Sequence, residues 1–146
     1  MARSTLFRNP FFAWLIRSLR AIPIDQTTAD MPAIRRCIQV MKEGGCLLIF
    51  PEGARTEVGT TTSFAPGTMV LIRRARPTVV PVAVEGAQHI WPRGRSVPKL
   101  RGRIAAMYGA PIPADELLDQ PVEEVLKRLE RQIESMRREL ARRLSH

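Results

Sequence analysis

Apolar positions in this chain fall into two rhythms, and each change of rhythm marks an element. From Pro10 to Arg20 they recur at helical spacing, and Phe12, Leu15, Ile16 and Leu19 define the expected core stripe. Asn9 is placed to cap this helix and Pro10 suits its first position. Phe11 and Trp14 widen the apolar arc beyond one face, which fits either packing on a neighbouring element or insertion into a bilayer interface beside Arg8, Arg17 and Arg20. Ala21–Ile24 reads as a short strand. Asp30 and Pro32 open a second helix, with Ile34, Cys37, Ile38 and Met41 on its buried face and Gly44-Gly45 as its stop.

The rhythm then changes. Cys46 to Phe50 is a continuous apolar run, the pattern of a strand covered on both sides. Residues 56–63 form a Thr/Gly-rich loop, and Gly67–Ala75 a short helix stopped by Pro77. Val79–Val84 is β-branched and apolar, the strongest strand signal in the chain. Residues 87–102 read as a long loop and Arg103–Tyr108 as another strand. From Pro121 to Leu144 a seam of Val122, Leu126, Leu129, Ile133, Met136 and Leu140 marks a long amphipathic helix. Glu123/Lys127, Glu124/Arg128, Glu134/Arg138 and Glu139/Arg143 support it at i,i+4. This alternation predicts one α/β domain over residues 1–146, a layered, mostly parallel sheet flanked by helices. Ligands of such sheets sit beyond the carboxyl ends of the strands.

Composition narrows the partners. The net charge of +9 over 146 residues favours anionic ligands or surfaces. Of the 23 basic residues, 20 are Arg, which suits bidentate phosphate contacts and equally fits a bias in base composition. The chain carries no helix-turn-helix or finger signature and few aromatics, which argues against nucleic acid. Cys37 and Cys46 show neither zinc nor disulfide spacing and are expected to be reduced core residues. The two histidines, His89 and His146, build no metal site. No segment reaches the ~20 apolar residues of a membrane span, and the start lacks the pattern of a signal peptide.

The charged turn after Phe50 carries the chemistry. Arg55 presents a planar fork that matches two phosphate oxygens, and Gly53 lets the backbone approach. Glu52 is placed to orient Arg55 or to accept a hydrogen bond from a substrate. Spacing alone also fits a plain turn with one surface ion pair. A basic loop of Arg93, Arg95, Lys99, Arg101 and Arg103 suits either lipid phosphates or bulk solvent.

The run Phe50-Pro51-Glu52-Gly53-Ala54-Arg55-Thr56 resembles the Phe-Pro-Glu-Gly-Thr-Arg-Ser motif of the glycerophospholipid (1-acylglycerol-3-phosphate, or lysophosphatidic acid) acyltransferase family. Leu6-Phe7-Arg8-Asn9-Pro10, Ala21-Ile22-Pro23-Ile24-Asp25, Phe64-Ala65-Pro66-Gly67 and Val79-Val80-Pro81-Val82-Ala83 resemble further segments of that family. The similarity covers most of residues 6 to 112.

The resemblance implies a glycerol-phosphate acyltransferase-like fold. It implies acyl transfer from acyl-CoA or acyl carrier protein, without a further cofactor, to a lysophospholipid. By the same resemblance Glu52, Gly53, Arg55 and Thr56 hold the phosphate, Pro51, Pro81 and Val82 shape the substrate pocket, and the protein works in the cytoplasm at the inner face of a membrane as a peripheral protein.

Three positions depart from the pattern. The family's His-x-x-x-x-Asp motif, whose His acts as general base, is not in the chain: Arg93 stands four after His89, and His146 is last. Gln26 stands where the second motif usually has Arg, and Ala65 where Lys is usual. The chain is therefore expected to be truncated at its amino end, to lack an identifiable catalytic residue and to be impaired in catalysis. The alternative is a non-catalytic phosphate- or lipid-binding module, or a degenerate member of the family. Loss of an upstream segment is also expected to leave Phe11 and Trp14 exposed.

Overall fold

The computed structural model of the chain describes residues 2–3, 10–24, 30–51, 64–92, 97, 99 and 101–145. In chain order it runs β1 (Ala2–Arg3), α1 (Pro10–Ser18), β2 (Pro23–Ile24), α2 (Met31–Lys42), α3 (Gly67–Ala75), β3 (Val82–Glu85), α4 (Ala87–Ile90), β4 (Ala105–Tyr108), α5 (Ala114–Leu118) and α6 (Val122–Leu144).

Local chemistry sets the helix limits. The Asp30 carboxylate accepts a hydrogen bond from the Ala33 N–H at 3.0 Å and so satisfies one of the free donors at the start of α2. At the other end, the Gly45 N–H reaches the Val40 carbonyl and the Gly44 N–H reaches Met41. Gly44 takes a φ of +80°, where its lack of a Cβ avoids strain. The same double closure ends α1, through Ala21 to Ile16 and Arg20 to Arg17. There Arg20 adopts a φ of 53° that a glycine would take more cheaply.

Two clusters form the core. One joins Phe64, Met69 and Ile72 to Ile112, Ala114 and Leu117 and to Val125, Leu126 and Leu129 of α6. The other gathers Ile22, Ala33, Cys37 and Leu71, with Leu47 and Ile49 packed against it. Leu117 and Val125 are fully buried, each contributing on the order of 2 kcal/mol of hydrophobic stabilisation. The predicted seam of α6 is confirmed: Leu126, Leu129 and Leu140 are buried, and Val122, Ile133 and Met136 are half-buried. Arg128 donates across to Glu116 at 2.5 Å, linking α6 to α5.

Among the described residues the sheet is smaller than the sequence reading expects. The described strands form two pairs: β1–β2, which is parallel, and β3–β4, which is antiparallel. Val82 lies opposite Tyr108 and Glu85 opposite Ala105. Residues 46–50 lie outside both sheets. Leu47 and Ile49 are half-buried while Cys46, Leu48 and Phe50 are exposed, so this run is covered on one side rather than two. Cys46 is accordingly exposed, not a core thiol. Cys37 is buried, and that burial pushes its thiol above the usual range.

Two short helices, α4 and α5, were not legible as apolar patterns, because four or five residues give too few turns for periodicity to show. The stripe predicted for α1 is also corrected. Among the described side chains Ile16 is buried as expected, together with Ala13, while Leu15 and Leu19 face outward; the Phe12 side chain lies outside the described residues. Trp14 is exposed as expected; the Phe11 side chain lies outside the described residues.

Candidate functional site

The predicted phosphate-binding residues Glu52, Gly53, Arg55 and Thr56 lie outside the described residues, as do Gln26, Arg93 and Arg95. Both ends of the 52–63 segment are described, and they are held together. The Ala65 N–H donates to the Pro51 carbonyl at 2.9 Å. Phe64 is 4 % exposed in the larger core cluster, and its N–H donates to Glu130 Oε1 of α6 at 2.7 Å. The segment that carries the motif is thus closed at its base and anchored to the longest helix. A charge-assisted hydrogen bond of this kind is stronger than a neutral one.

Beyond Phe64 the chain turns directly into α3. Thr68 and Met69 donate to the carbonyls of Ala65 and Pro66. Ala65, at the position of a usual Lys, is exposed, so its side chain neither fills the core nor supplies a charge.

The predicted pocket residues occupy different surroundings. Pro51 is half-buried at the base of the segment. Pro81 is buried and accepts from the Gly109 N–H at 2.8 Å. A Cβ added at Gly109 would meet Pro81, Gln132 and Met136, which places this turn tightly under α6. Val82 is half-buried and pairs with Tyr108. These contacts give Pro81 and Val82 packing and pairing duties at the β3–β4 hairpin.

At the carboxyl end of β3 stands a charged cluster that periodicity did not reveal. Glu85 is buried. Its Oε2 accepts from Arg137 Nη1 at 3.0 Å, and its Oε1 accepts from the Gln88 amide. Arg137 also grips both oxygens of Glu134, and Arg138 reaches Glu134 at 2.9 Å. Burial alone would raise the Glu85 carboxyl, but the Gln88 and Arg137 hydrogen bonds outweigh it and hold it below the usual range. The hydrogen bonds from Arg137, opposed by burial and helped by Arg138, bring Glu134 down to about 2. The signal that marks Glu85 is a carboxylate closing an apolar strand. Glu130 gave no comparable signal, because Lys127 three residues before it is an ordinary helical partner.

His89 lies exposed on α4, and Lys99, Arg101 and Arg103 are exposed. Among the described residues no group of three His, Cys, Asp or Glu side chains comes together. No helix among them is long and apolar enough to cross a membrane.

Residues 1–85 match the family model described as Acyltransferase, and the chain belongs to that family. It is similar to the 1-acyl-sn-glycerol-3-phosphate acyltransferase of Pseudomonas aeruginosa, with 29 % identity over 94 % of this chain and 55 % of that protein. The Bacillus subtilis enzyme of the same name is 24 % identical over 99 % of this chain and 69 % of its own length. The chloroplastic enzyme of Arabidopsis thaliana, LPAT1, is 24 % identical over 77 % of this chain and 32 % of that protein.

Among solved structures, the 1-acyl-sn-glycerophosphate (LPA) acyltransferase PlsC from Thermotoga maritima superposes with a TM-score of 0.74 at 25 % identity, covering 94 % of this chain and 55 % of PlsC. The chain therefore spans between a third and about two thirds of the length of these relatives.

Proposed function

We propose that this chain serves phospholipid biosynthesis, in the transfer of an acyl group from acyl-CoA or acyl carrier protein to 1-acylglycerol-3-phosphate. The observation that carries this reading is the Phe50–Thr56 motif, set within a family match over residues 1–85. Glu52, Gly53, Arg55 and Thr56 hold the phosphate, with Arg55 as the bidentate donor. Pro51, Pro81 and Val82 belong to the substrate pocket. In this reading the family's fold is a layered, mostly parallel sheet flanked by helices, and the motif lies at its ligand-binding edge. The protein acts at the inner face of a membrane as a peripheral protein, because its substrates are lipids.

The chemistry of the transfer is attack of the acceptor hydroxyl on the thioester carbonyl, with loss of the thiol. The hydroxyl proton needs a base. Neither His89 nor His146 is followed by Asp at the required spacing, so this chain by itself binds substrate and turns it over poorly. That same absence favours the second reading, a non-catalytic phosphate- or lipid-binding module.

Calorimetric titration with 1-acylglycerol-3-phosphate tests the site. Arg55→Ala is expected to weaken binding by at least roughly tenfold, the scale of a lost hydrogen bond to a charged group. Unchanged affinity in that variant removes the assignment of the phosphate site. An acyl-transfer assay with both donors then separates the two readings: robust turnover by the chain alone refutes impaired catalysis.

A further inference from the structure

Where the chain leaves the motif segment, two successive backbone amides are committed in different directions. The Ala65 N–H goes back to the Pro51 carbonyl at 2.9 Å. The Phe64 N–H goes across to Glu130 Oε1 at 2.7 Å. The first bond joins two backbone groups and depends on no side chain. The second depends on one carboxylate, 66 positions further along the chain.

That carboxylate is used unlike others of its helix. Glu134 pairs with Arg137 and Arg138, and Glu139 with Arg143, all on α6. Glu130 instead turns to a backbone donor beside a core side chain. An ionised acceptor makes this bond stronger than a neutral one would be. The amide it holds adjoins the buried Phe64 ring, where water is a poor substitute partner.

The helix that carries Glu130 is itself fixed. Val125, Leu126 and Leu129 sit in the same buried cluster as Phe64, and Arg137 ties a later turn to Glu85. Glu130 therefore acts from a support held on both sides. Such support matters most where geometry is exacting. A guanidinium grips two phosphate oxygens only when both its N–H groups are aligned, and that alignment depends on the groups behind the site.

We propose that Glu130 is a positioning residue for the acceptor-phosphate site. By holding the Phe64 N–H it fixes the point at which the chain re-enters the core after residues 52–63, and with it the placement of the groups that meet the phosphate. It acts through that amide and not on the substrate. The proposal rests on the acyltransferase reading above, in which Glu52, Gly53, Arg55 and Thr56 bind 1-acylglycerol-3-phosphate. It gives the carboxyl-terminal helix, which lies outside the family match over residues 1–85, a part in substrate binding.

Calorimetric titration with 1-acylglycerol-3-phosphate, at a temperature where every variant is folded, tests the role. Glu130→Ala should weaken binding roughly five- to thirtyfold, the range that loss of one such bond allows. Glu130→Gln keeps an oxygen acceptor and should weaken it only about two- to threefold. Arg137→Met, on the same helix, should lower the urea midpoint at least as far as Glu130→Ala and leave the affinity unchanged, because Phe64 keeps its acceptor. Amide exchange at Phe64 should quicken in Glu130→Ala and not in Arg137→Met.

Equal weakening by Glu130→Ala and Arg137→Met overturns the proposal, since the effect is then one of general stability. Wild-type affinity in Glu130→Ala, with the Phe64 amide exchanging fast, overturns it as well. Where Glu130→Ala does not fold, Glu130→Gln decides, and wild-type affinity in that variant overturns the role. Arg55→Ala keeps the two readings apart. Weakening by Arg55→Ala without weakening by Glu130→Ala removes only the role of Glu130, whereas unchanged affinity in Arg55→Ala removes the phosphate site and the role together.

Discussion

Arg137 Nη1 donates to Glu85 Oε2 at 3.0 Å, bridging 52 positions of sequence and fastening α6 to the carboxyl end of β3. The Glu85 side chain is only 8 % exposed, against 37 % for Arg137. The pair is therefore asymmetric: the carboxylate is deep and its cation sits at the edge. Arg137→Met should leave Glu85 without its cation, at a cost of about 2 kcal/mol, less than a fully buried pair because the guanidinium is partly hydrated. Urea denaturation measures this directly. Glu85→Gln, which keeps an acceptor and no longer buries a charge, should cost less than Arg137→Met.

Acid should expose the same cluster. Glu134 titrates at about 2, below its ordinary 4.5, and Glu85 is lowered too. A carboxyl held low in the folded state contributes stability above its unfolded value and loses it as pH falls through the folded value. The loss should therefore run from about pH 4.5 down to about pH 2. Urea midpoints across that range should fall steeply for the wild type and less steeply for Glu134→Gln. Equal slopes would show that the cluster does not carry the acid sensitivity.

Gly86 is irreplaceable on steric grounds. Its φ is +93°, and a Cβ there would lie 2.1 Å from the Arg103 carbonyl oxygen. Gly86→Ala adds a clash with backbone to a disfavoured dihedral, and should cost more than about 2 kcal/mol. The expected readout is a lower thermal midpoint with faster amide exchange across β3 and β4. Wild-type exchange in those strands would refute the steric account.

Glu130 holds Phe64, the residue that follows the motif segment. Glu130→Ala leaves the Phe64 N–H, half-sheltered beside a core side chain, without its acceptor, for a loss of about 1–2 kcal/mol. Glu130→Gln retains an amide oxygen and should recover part of it. If the 52–63 segment binds phosphate, Glu130→Ala should also weaken 1-acylglycerol-3-phosphate binding in the titration described above, and Glu130→Gln less so.

Much of the helical structure was legible because its determinants are local. The Asp30 cap, the Gly44-Gly45 stop, the Pro77 boundary and the α6 seam each act within a turn or two of chain, where identity and spacing decide the outcome. The motif at residues 50–56 was likewise legible as a string of side-chain types. Pairing was not. β-branched residues announce a strand at Val79–Val84, yet nothing in them says that β4 will lie antiparallel beside it, since partner choice is a long-range matter. For α1 the periodicity was correct and the face partly so, since Ile16 is buried while Leu15 and Leu19 face outward: a helix with few polar residues gives sequence little by which to tell inside from outside.

What the sequence by itself determined is the four longer helices and the acyltransferase motif. What only the tertiary structure decided is which surfaces meet: Glu85 with Arg137, Phe64 with Glu130 across 66 positions, Pro51 with Ala65, and the outward turn of Trp14 and Leu19. Capping and periodicity are energies of neighbours along the chain, whereas these contacts form only after the elements have packed and their desolvation has been set against their partners.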